Sequence, residues 1–539
     1  MIERTGRIPA PVGGWNAQLP LAAMPIQDAV ILDNWVPRPG YVEVRKGYQE
    51  HATQVGADVE TLIIYRGGGF GRDEIFAAAG TAIYDATTAG PVGAGEVTSL
   101  SNARWQYVNF SNSAGNYALA FNGADTPLKY NGSAWSTNSI TGSGLASSDL
   151  IDAAVHKRRV FMVEQDTLHV WYLDVEAISG AATLLDYGPI FAQGGTIVAI
   201  GTWTIDGGQG ADDMLVVVSS EGQVAIYQGT DPDDANNWAL VGVYSVGRPI
   251  GRRSLLQYGA DLVILTVNGV LPLSQALKFD RSQDTNVALT SKIQNAFATA
   301  SASYQNNFGW EAFLYPNSQL AIYNVPVTEL GTSYQFVQNV QTGAWARFKG
   351  INSFCWGYAN GSAYFGGDDG VFKWDTGSSD NNTPITCDLC TAFSNFKDAG
   401  LKHFNLMRPI VKGSNTLVPT ADIVTDYRLT VPTATITTND TGDGMRWGSM
   451  VWGSMVWGSS DPLRLDWASC TGVGIVGAAR MRVVLSPAPI YSEITLEGSS
   501  GVIELETGMG AIALEDVLYA TLTYQVIGFD VGFMQGGLI

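Results

Sequence analysis

The stretch FLYPNSQLAIYNVPV (residues 313–327) and the stretch SFCWGYANGSAYFGGDDGVFKWD (residues 353–375) share one local pattern. Each has an apolar strand, a tight polar turn and a second strand with alternating large residues. The turns lie at 316–318 and 367–370, and the segment 339–345 between the two stretches predicts a further turn that places Trp345 in the next strand. Such a unit predicts a four-stranded blade. Because a single blade cannot bury both of its faces, the rest of the chain should supply more blades.

The same two-strand pattern recurs upstream of this region, and neighbouring turns are 43 to 56 residues apart. Tracts such as LVVVSS and LVILTV are almost continuously apolar, as strands covered on both faces require. A loose period of this length predicts an all-β fold with a β-propeller of about seven blades, within a range of six to eight. The alternative is a pair of ordinary β-sandwiches. The predicted turns are centred near Gly80, Gly123, Asp166, Gly222, Gly269, Ser318 and Gly370.

Composition supports an all-β chain with more than one domain. Of the 539 residues, 46% are hydrophobic, 15% are charged and 62 are glycine, which suits many short strands joined by glycine turns. The net charge of −20 argues against a basic surface that binds nucleic acid. No apolar signal core or membrane-spanning run is visible, so we expect a soluble chain that assembles in a reducing cytoplasm.

Three regions follow from these patterns. Residues 1–58, rich in Pro and Gly, predict an extended N-terminal arm and the first strands, and we expect the arm to pack on this chain's propeller or on a neighbouring subunit. Residues 59–378 predict the propeller. A linker-like run at 377–384 then leads into a C-terminal, β-sandwich-like domain over 379–539.

One segment of the propeller region has helical rather than strand periodicity. In residues 288–305, Ile293, Phe297, Ala300 and Tyr304 recur at helical spacing. Thr290 or Ser291 is the candidate N-cap. We expect this helix on the propeller rim or against a neighbour.

The C-terminal region contains an unusual repeat, RWGSMVWGSMVWGSS, at residues 446–460. Trp447, Trp452 and Trp457 are five residues apart, a spacing that fits neither a helix face nor a strand face. A loop held by its indoles is the better interpretation. It forms either an exposed aromatic contact surface or part of its own domain's core.

The sequence assigns no catalytic, cofactor-binding or metal-binding residue, and we expect the protein not to be an enzyme. Cys387 and Cys390 have the spacing of half a zinc site, but buried apolar cysteines are the stronger interpretation for all four cysteines. The four histidines, His51, His156, His169 and His403, show no metal spacing and no nucleophile partner. The acidic groups at 231–234, 368–369 and 439–443 are interpreted as turns.

Arg248, Arg252 and Arg253 form the clearest basic cluster, together with the run 157–159. In so acidic a chain, we expect these residues to pair with carboxylates at blade or subunit contacts rather than with DNA.

Several phrases carry a family resemblance. Four segments resemble the β-propeller tail proteins of short-tailed bacteriophages. They are NWVPRPGYVEVRKGY (34–48), IVAIGTW (197–203), GRRSLLQYGADLVILTVNGVLPLS (251–274) and the predicted helix with the Tyr-Pro and Asn-Val-Pro segments that follow it. These are the nozzle, hub or DNA-stabilisation components that lie below the portal and adaptor. The resemblance covers about residues 25–410 and does not include the Trp-Gly-Ser repeat.

The resemblance implies a structural virion protein, assembled in the host cytoplasm into the phage tail. It implies a homohexameric ring that extends the DNA channel, contacts the head–tail adaptor and portal complex and the tail fibre, spike or needle proteins, and meets the host envelope at ejection. Genomic double-stranded DNA would pass through without sequence-specific binding. A glycan-binding or glycan-cleaving propeller used in host recognition is the alternative, followed by a general interaction scaffold.

Overall fold

The computed structural model describes residues 3–69, 72–206, 211–276, 288–413, 419–432, 435–436, 463–464, 467–486 and 524–535. Nearly all regular structure in these residues is β-strand, and the all-β propeller prediction is confirmed. The predicted Trp-Gly-Ser loop, the acidic turn at 439–443 and the three tryptophans Trp447, Trp452 and Trp457 lie outside the described residues.

The strands divide into an N-terminal group, a propeller group and a C-terminal group. The N-terminal strands are β1 Glu3–Pro9, β2 Gly14–Trp15, β3 Asp28–Asp33, β4 Trp35–Arg38, β5 Tyr41–Val44 and β6 Tyr48–Thr53. The propeller region contains β7 Val59–Tyr65, β8 Glu74–Ala79, β9 Ala82–Asp85, β10 Gly90–Pro91, β11 Gln106–Asn112, β12 Gly115–Phe121, β13 Leu128–Tyr130, β14 Trp135–Thr137, β15 Ile140–Thr141, β16 Leu150–His156, β17 Arg159–Glu164, β18 His169–Tyr172, β19 Gly180–Ala181, β20 Thr183–Asp186, β21 Ile197–Asp206, β22 Ala211–Ser219, β23 Gln223–Gly229, β24 Trp238–Ser245, β25 Leu255–Tyr258, β26 Asp261–Thr266, β27 Gly269–Pro272, β28 Glu311–Tyr315, β29 Leu320–Pro326, β30 Ser333–Asn339, β31 Trp345–Lys349, β32 Cys355–Ala359, β33 Ser362–Gly367 and β34 Gly370–Trp374. The C-terminal strands are β35 Ser379–Asp380, β36 Thr383–Thr391, β37 Lys402–Gly413, β38 Thr420–Thr425, β39 Leu463–Arg464, β40 Ala468–Gly474, β41 Gly477–Leu485 and β42 Tyr524–Gln535.

Helical structure in the described residues is short. The α-helices are α1 Leu273–Ala276 and α2 Gln294–Tyr304, and 3-10 turns occupy Leu21–Ala23, Ser147–Asp149, Leu289–Ile293 and Pro316–Ser318. The predicted helix is therefore present, with Ile293, Phe297 and Ala300 buried. The predicted N-cap is wrong, because a 3-10 turn precedes α2 and no side chain caps it. Thr290 instead accepts a hydrogen bond from the Val270 amide at 3.3 Å.

The described residues of the propeller form seven antiparallel sheets of three or four strands. Within each sheet the strands follow chain order, except for β6 in the seventh, and most neighbouring strands are joined by hairpins, as expected for segments that alternate short apolar runs with glycine turns. The strand orders are β7-β8-β9, β11-β12-β13-β14, β16-β17-β18-β20, β21-β22-β23-β24, β25-β26-β27, β28-β29-β30-β31 and β32-β33-β34-β6.

Separate clusters of buried apolar side chains join each sheet to the next. Ile63 of the first sheet packs with Ala118 of the second, and equivalent clusters follow around the propeller. The last cluster places Tyr364 of the seventh sheet against Leu62 and Ile64 of the first. The sheets therefore close into a ring, and each buries both of its faces.

The seventh sheet takes its fourth strand from the N-terminal region. β6 pairs antiparallel with β34, so that Trp374 lies opposite Tyr48 and Val371 opposite Ala52. The propeller thus includes residues that precede the predicted 59–378 range. The stretch 353–375 supplies three strands rather than a complete blade.

The two stretches that first suggested the repeat are not equivalent in the fold. The Pro316–Ser318 turn joins the first and second strands of the sixth sheet, β28 and β29. The Gly370 turn joins the second and third strands of the seventh sheet, β33 and β34. Both are hairpins with similar polar turns, so local sequence alone does not distinguish their positions in a blade.

Most of the remaining strands form a two-layered β-sandwich from both ends of the described chain. One layer contains β4, β5, β42, β37, β39 and β40, with β1 paired to β42. The other contains β3, β36, β41 and β38. Their inner faces share one apolar core that includes Trp35, Phe529 and Met481. The predicted N-terminal arm therefore packs within its own chain as part of the second domain.

A buried ion pair lies where the sandwich meets the propeller. All five N–H groups of Arg45 donate hydrogen bonds, two of them to the Asp380 carboxylate at 2.8 and 2.5 Å. The others reach Asn34 Oδ1 at 2.9 Å and the carbonyl oxygens of Lys46 and Lys349 at 3.0 and 2.9 Å. Arg45 is 1% exposed and Asp380 is 7% exposed. One guanidinium therefore connects the N-terminal strands, the sixth sheet and the start of the second domain.

Ring closure gives a first prediction, at Gly366 of β33. A Cβ atom at this position would lie 2.5 Å from the Val59 carbonyl oxygen and 2.6 Å from Cys355 Sγ. We expect Gly366→Ala to lower the free energy of unfolding by about 1–3 kcal/mol, because the seventh and first sheets must move apart. Urea unfolding measures this change. Gly93→Ala is the control, since nothing lies within 4 Å of its Cβ position, and equal losses in both variants would contradict the prediction.

Candidate functional site at the propeller axis

A cavity of about 220 Å³ lies on the propeller axis. Residues in or beside the first strand of all seven sheets surround it, as the innermost strands of a propeller should. Four of the lining residues are acidic or basic, two of each, which is unusual for strands that are otherwise apolar. These four are Asp152, Arg252, Arg253 and Glu311.

Arg253 crosses the cavity to the first two sheets. Its Nη2 donates to Thr61 Oγ1 at 2.7 Å and to the carbonyl oxygens of Glu60 and Trp105 at 3.1 and 3.3 Å. Its Nη1 lies 3.6 Å from Glu311 Oε2, an ion-pair distance that is too long for a hydrogen bond. Burial raises the pKa of Glu311, and the charge of Arg253 opposes that rise. Arg253 therefore holds three sheets together at the axis.

Asp152 and Arg252 occupy the opposite side of the cavity. The Asp152 carboxylate accepts hydrogen bonds from the amides of Ala153 and Ile200 at 2.9 and 3.2 Å. Burial raises the pKa of Asp152 to about 7, although these two amides and Arg252 favour its charged form. Burial lowers the pKa of Arg252. Within the described chain, no hydrogen bond or ion pair is made to the Arg252 side chain.

A second cavity, of about 510 Å³, continues from the first at one end of the propeller; we call it the funnel. Gln106, Arg252 and Arg253 line both cavities. The remainder of the funnel is mostly amide side chains and backbone. It includes Asn102, Asn122, Gln165, Asn306, Asn307 and Phe308.

Arg104 forms part of the funnel wall and is held by two carboxylates. Its Nε lies 2.7 Å from Glu60 Oε2, and its Nη2 lies 2.6 Å from Glu329 Oε1. The Phe308 ring is close to two guanidinium groups, 4.3 Å from that of Arg104 and 5.2 Å from that of Arg253. Arg104 is fixed in place and its charge is balanced within the chain.

The basic clusters noted in the sequence are separated by the fold. Arg253 pairs with Glu311, Arg159 with Asp231 and Arg158 with Glu176, which confirms carboxylate pairing for these three. Arg248 is exposed and carries no such contact in the described residues. Arg252 enters the axial cavity instead.

Sequence reasoning missed Asp152 and Glu311. Each is a single acidic residue in or beside an apolar strand tract, in LIDAAVH and in EAFLY. A charged residue in the first strand of a blade is therefore the signal that could have placed both at the axis.

The four cysteines and the acidic turn at 368–369 behave as structural residues. All four cysteines are free thiols and buried, which confirms that interpretation, and burial raises the pKa of each to about 12. Cys387 faces the sandwich core, whereas Cys390 belongs to a small cluster on the other face of β36. Asp369 accepts a hydrogen bond from the Gly56 amide at 2.5 Å. Across the described residues, no group of three or more His, Cys, Asp or Glu side chains could hold a metal ion.

Among the described helices, none is both long and apolar enough to cross a membrane.

Comparisons with known proteins find only distant structural similarity. No protein-family model and no curated protein matches the chain. The β-propeller domain of Cps50 (Swd1) from Myceliophteria thermophila is similar at 11% identity and a TM-score of 0.39, over 62% of this chain and 99% of that one. BBS1N, solved in complex with ARL6DN, has 8% identity and a TM-score of 0.40 over 62% and 99%. YCF48 bound to a D1 peptide has 10% identity and a TM-score of 0.35 over 66% and 99%.

The raised pKa of Asp152 predicts a pH-dependent stability. An unfolded Asp titrates near about pH 3.9, so between about pH 4 and pH 7 the folded state holds a proton that the unfolded state has released. The free energy of unfolding should fall as pH rises through this window, by at most about 4 kcal/mol. We expect Asp152→Asn to flatten that fall, as measured by urea unfolding at pH 5 and pH 8.

The exposed Asp149 provides the matched control for this measurement. Asp149→Asn should keep the wild-type pH dependence. If the D152N variant loses as much stability between pH 5 and pH 8 as the wild type, the assignment of this proton to Asp152 is wrong.

Proposed function

We propose that the chain is a structural protein of a short-tailed bacteriophage tail, forming a nozzle or hub ring that extends the DNA channel below the portal and adaptor. The observation that carries this proposal is the position of NWVPRPGYVEVRKGY, a segment that accounts for much of the resemblance to the phage family. It contains β4, β5, Asn34 and Arg45, which join the propeller to the sandwich. The segment that resembles the phage family therefore holds the propeller and the sandwich in a fixed relative position. A ring that bears mechanical load requires such a fixed position.

In this proposal, the DNA channel runs between copies of the chain. The axial cavity of about 220 Å³ is crossed by Arg253 and is smaller than ordinary small-molecule pockets of about 300–1,000 Å³. A DNA duplex cannot pass through it. The outer faces of several subunits must instead form the channel wall.

Net charge is compatible with such a channel. Each chain carries −20, and six copies would carry about six times that charge. A channel wall that repels phosphate allows a DNA duplex to slide. Such a wall has few Lys or Arg side chains that could bind the phosphates and release the counterions of the DNA. We propose that acidic faces line the lumen. A structure of the ring with a predominantly basic lumen would reject this part of the proposal.

Negative-stain imaging of the purified protein tests the ring directly. We expect a six-fold ring with a central hole, either alone or after addition of head–tail adaptor and portal proteins. Stable monomers under all these conditions would contradict the proposal. Saccharide binding or release by a monomeric chain would favour the alternative, a glycan-recognition propeller.

A further inference from the structure

Two adjacent arginines lie where the axial cavity opens into the funnel. Arg252 and Arg253 line both spaces, together with Gln106. Their position follows from GRRSLL, which places them directly before the first strand of the fifth sheet. A molecule entering the funnel meets both guanidinium groups at its inner end.

Both arginines have unused hydrogen-bonding capacity there. Arg253 Nη1 is buried and has no hydrogen-bond partner in the described residues, since Glu311 is 3.6 Å away. Arg252 has neither a hydrogen bond nor an ion pair within the same residues. Leaving the buried Nη1 of Arg253 without an acceptor is costly, whereas the Arg252 side chain is only half-buried. An acceptor in the cavity would remove that cost.

The ion pairs made by the three funnel arginines favour an anionic acceptor beside Arg252. Arg104 is matched by Glu60 and Glu329, and Arg253 is matched by Glu311. The carboxylate that most stabilises the charge of Arg252 is Asp152, whose own charge is opposed by burial. Among the described residues, Arg252 is therefore the only funnel arginine that has no carboxylate within ion-pair distance.

The funnel wall suits a polar molecule attached to that anionic group. Its volume of about 510 Å³ is within the range of small-molecule sites. Amides such as those of Asn102, Asn122 and Asn307 can both donate and accept hydrogen bonds. The Phe308 ring adds an apolar face.

We propose that the funnel binds a small hydroxylated organic anion, whose carboxylate or phosphate group lies between Arg252 and Arg253. Arg253 Nη1 and the Arg252 guanidinium donate hydrogen bonds to the anionic group, and the amides of the wall bind the hydroxyl groups. This site does not depend on the proposed function. Ring imaging and ligand binding can therefore succeed or fail separately.

Isothermal titration calorimetry on the full chain tests the proposal with paired probes. Galacturonate carries a carboxylate and glucose 6-phosphate carries a phosphate, and galactose and glucose are their neutral counterparts. Binding of one or both charged probes, with at least about tenfold weaker binding of the neutral sugars, supports the site and identifies which anionic group it takes. Equal binding of charged and neutral sugars, or binding of neither charged probe, would overturn it.

Substitution of Arg252 localises the binding. Arg252→Gln should weaken binding of the charged probe at least about tenfold, because a charge-assisted hydrogen bond is lost. The variant should fold and keep its melting temperature without ligand, since Arg252 makes no bond within the described chain. The control is Arg248→Gln, which removes an exposed arginine of the same segment that lines neither cavity. Equal affinity in the R252Q and R248Q variants would refute the site.

Discussion

Deletion of residues 1–54 is expected to leave a chain that does not fold in either domain. The deletion removes the fourth strand of the seventh propeller sheet and β3, β4 and β5 of the sandwich. Each fully buried large side chain contributes about 1.5–3 kcal/mol, and a whole domain is stable by only about 5–15 kcal/mol. Among the described residues, the deletion removes eight large apolar side chains that are buried: Ile8, Trp15, Met24, Leu32, Trp35, Val36, Val42 and Val44.

Circular dichroism and the yield of soluble protein measure this effect. A milder deletion, of residues 1–11, serves as the control, because it removes only the edge strand β1 and leaves β6 on β34. This shorter deletion should fold with reduced stability. Co-expression of a separate 1–58 fragment should restore folding of the longer deletion. A cooperative melt at the wild-type temperature for the chain that lacks residues 1–54 would contradict the assigned role of β6.

Arg45→Met is expected to lower the free energy of unfolding by about 3–5 kcal/mol. Removing one member of a buried ion pair leaves the other charge without compensation, and here that charge is Asp380. The substitution also removes the Arg45 donors to the carbonyl oxygens of Lys46 and Lys349, and one of the two donors to Asn34 Oδ1. The apolar part of methionine fills much of the same space, so the loss reports mainly on polar contacts.

The pH dependence of the Arg45→Met variant distinguishes a buried charge from a packing defect. Burial raises the pKa of Asp380 and Arg45 lowers it, so without Arg45 the carboxyl should hold its proton to higher pH. The loss measured by urea unfolding should then be larger at pH 8 than at pH 5. Arg45→Met combined with Asp380→Asn should recover part of the loss at pH 8.

Arg4→Met is the matched control for this prediction. Arg4 also pairs with an aspartate, Asp398, but its side chain is 49% exposed, so the change should be about 0–1 kcal/mol. Equal effects of R4M and R45M, or an R45M loss that does not depend on pH, would show that the Arg45–Asp380 pair is not the source.

The repeat of the propeller was predictable because the sequence of each hairpin is enough to indicate its two strands and its turn. Alternating or continuous apolar residues around a glycine or aspartate turn specify two paired strands, and the recurrence of that pattern indicates several sheets. The turns at Gly80 and Gly222 lie between strands two and three of their sheets, as the pattern suggests. The turn at Ser318 has a similar polar sequence but lies between strands one and two of its sheet. The position of a hairpin in its blade therefore cannot be read from the local sequence.

The pairings between distant segments were not predictable from the pattern. YQEHAT in β6 carries no local feature that specifies VFKW in β34 as its neighbour. Similarly, the N-terminal arm contained recognisable strands, but only the fold shows that β1 pairs with β42 and β3 with β36. Such pairs depend on the hydrophobic faces that remain after local hairpins have formed.

The axial site was visible only in part. Arg252 and Arg253 were recognisable as a basic pair, but no sequence pattern distinguishes Arg252 from the arginines that pair with carboxylates. Their difference arises because Arg253 reaches Glu311 and Thr61 across the axis, whereas Arg252 faces the cavity. That outcome depends on the angle between neighbouring sheets, which no single strand encodes.

The closure of the seventh sheet by β6 also affects how the protein can be made. Tyr48 and its partner Trp374 are separated by 326 positions in the chain (374 minus 48). At about 5–20 residues per second, a ribosome needs about 15 to 65 seconds to add them. During that time β6 has been synthesised but its partner has not, and an unpaired strand can join a neighbouring chain. On crowded polysomes, nascent copies can therefore exchange this strand, so slower initiation or lower expression temperature should increase the yield of correctly closed monomers.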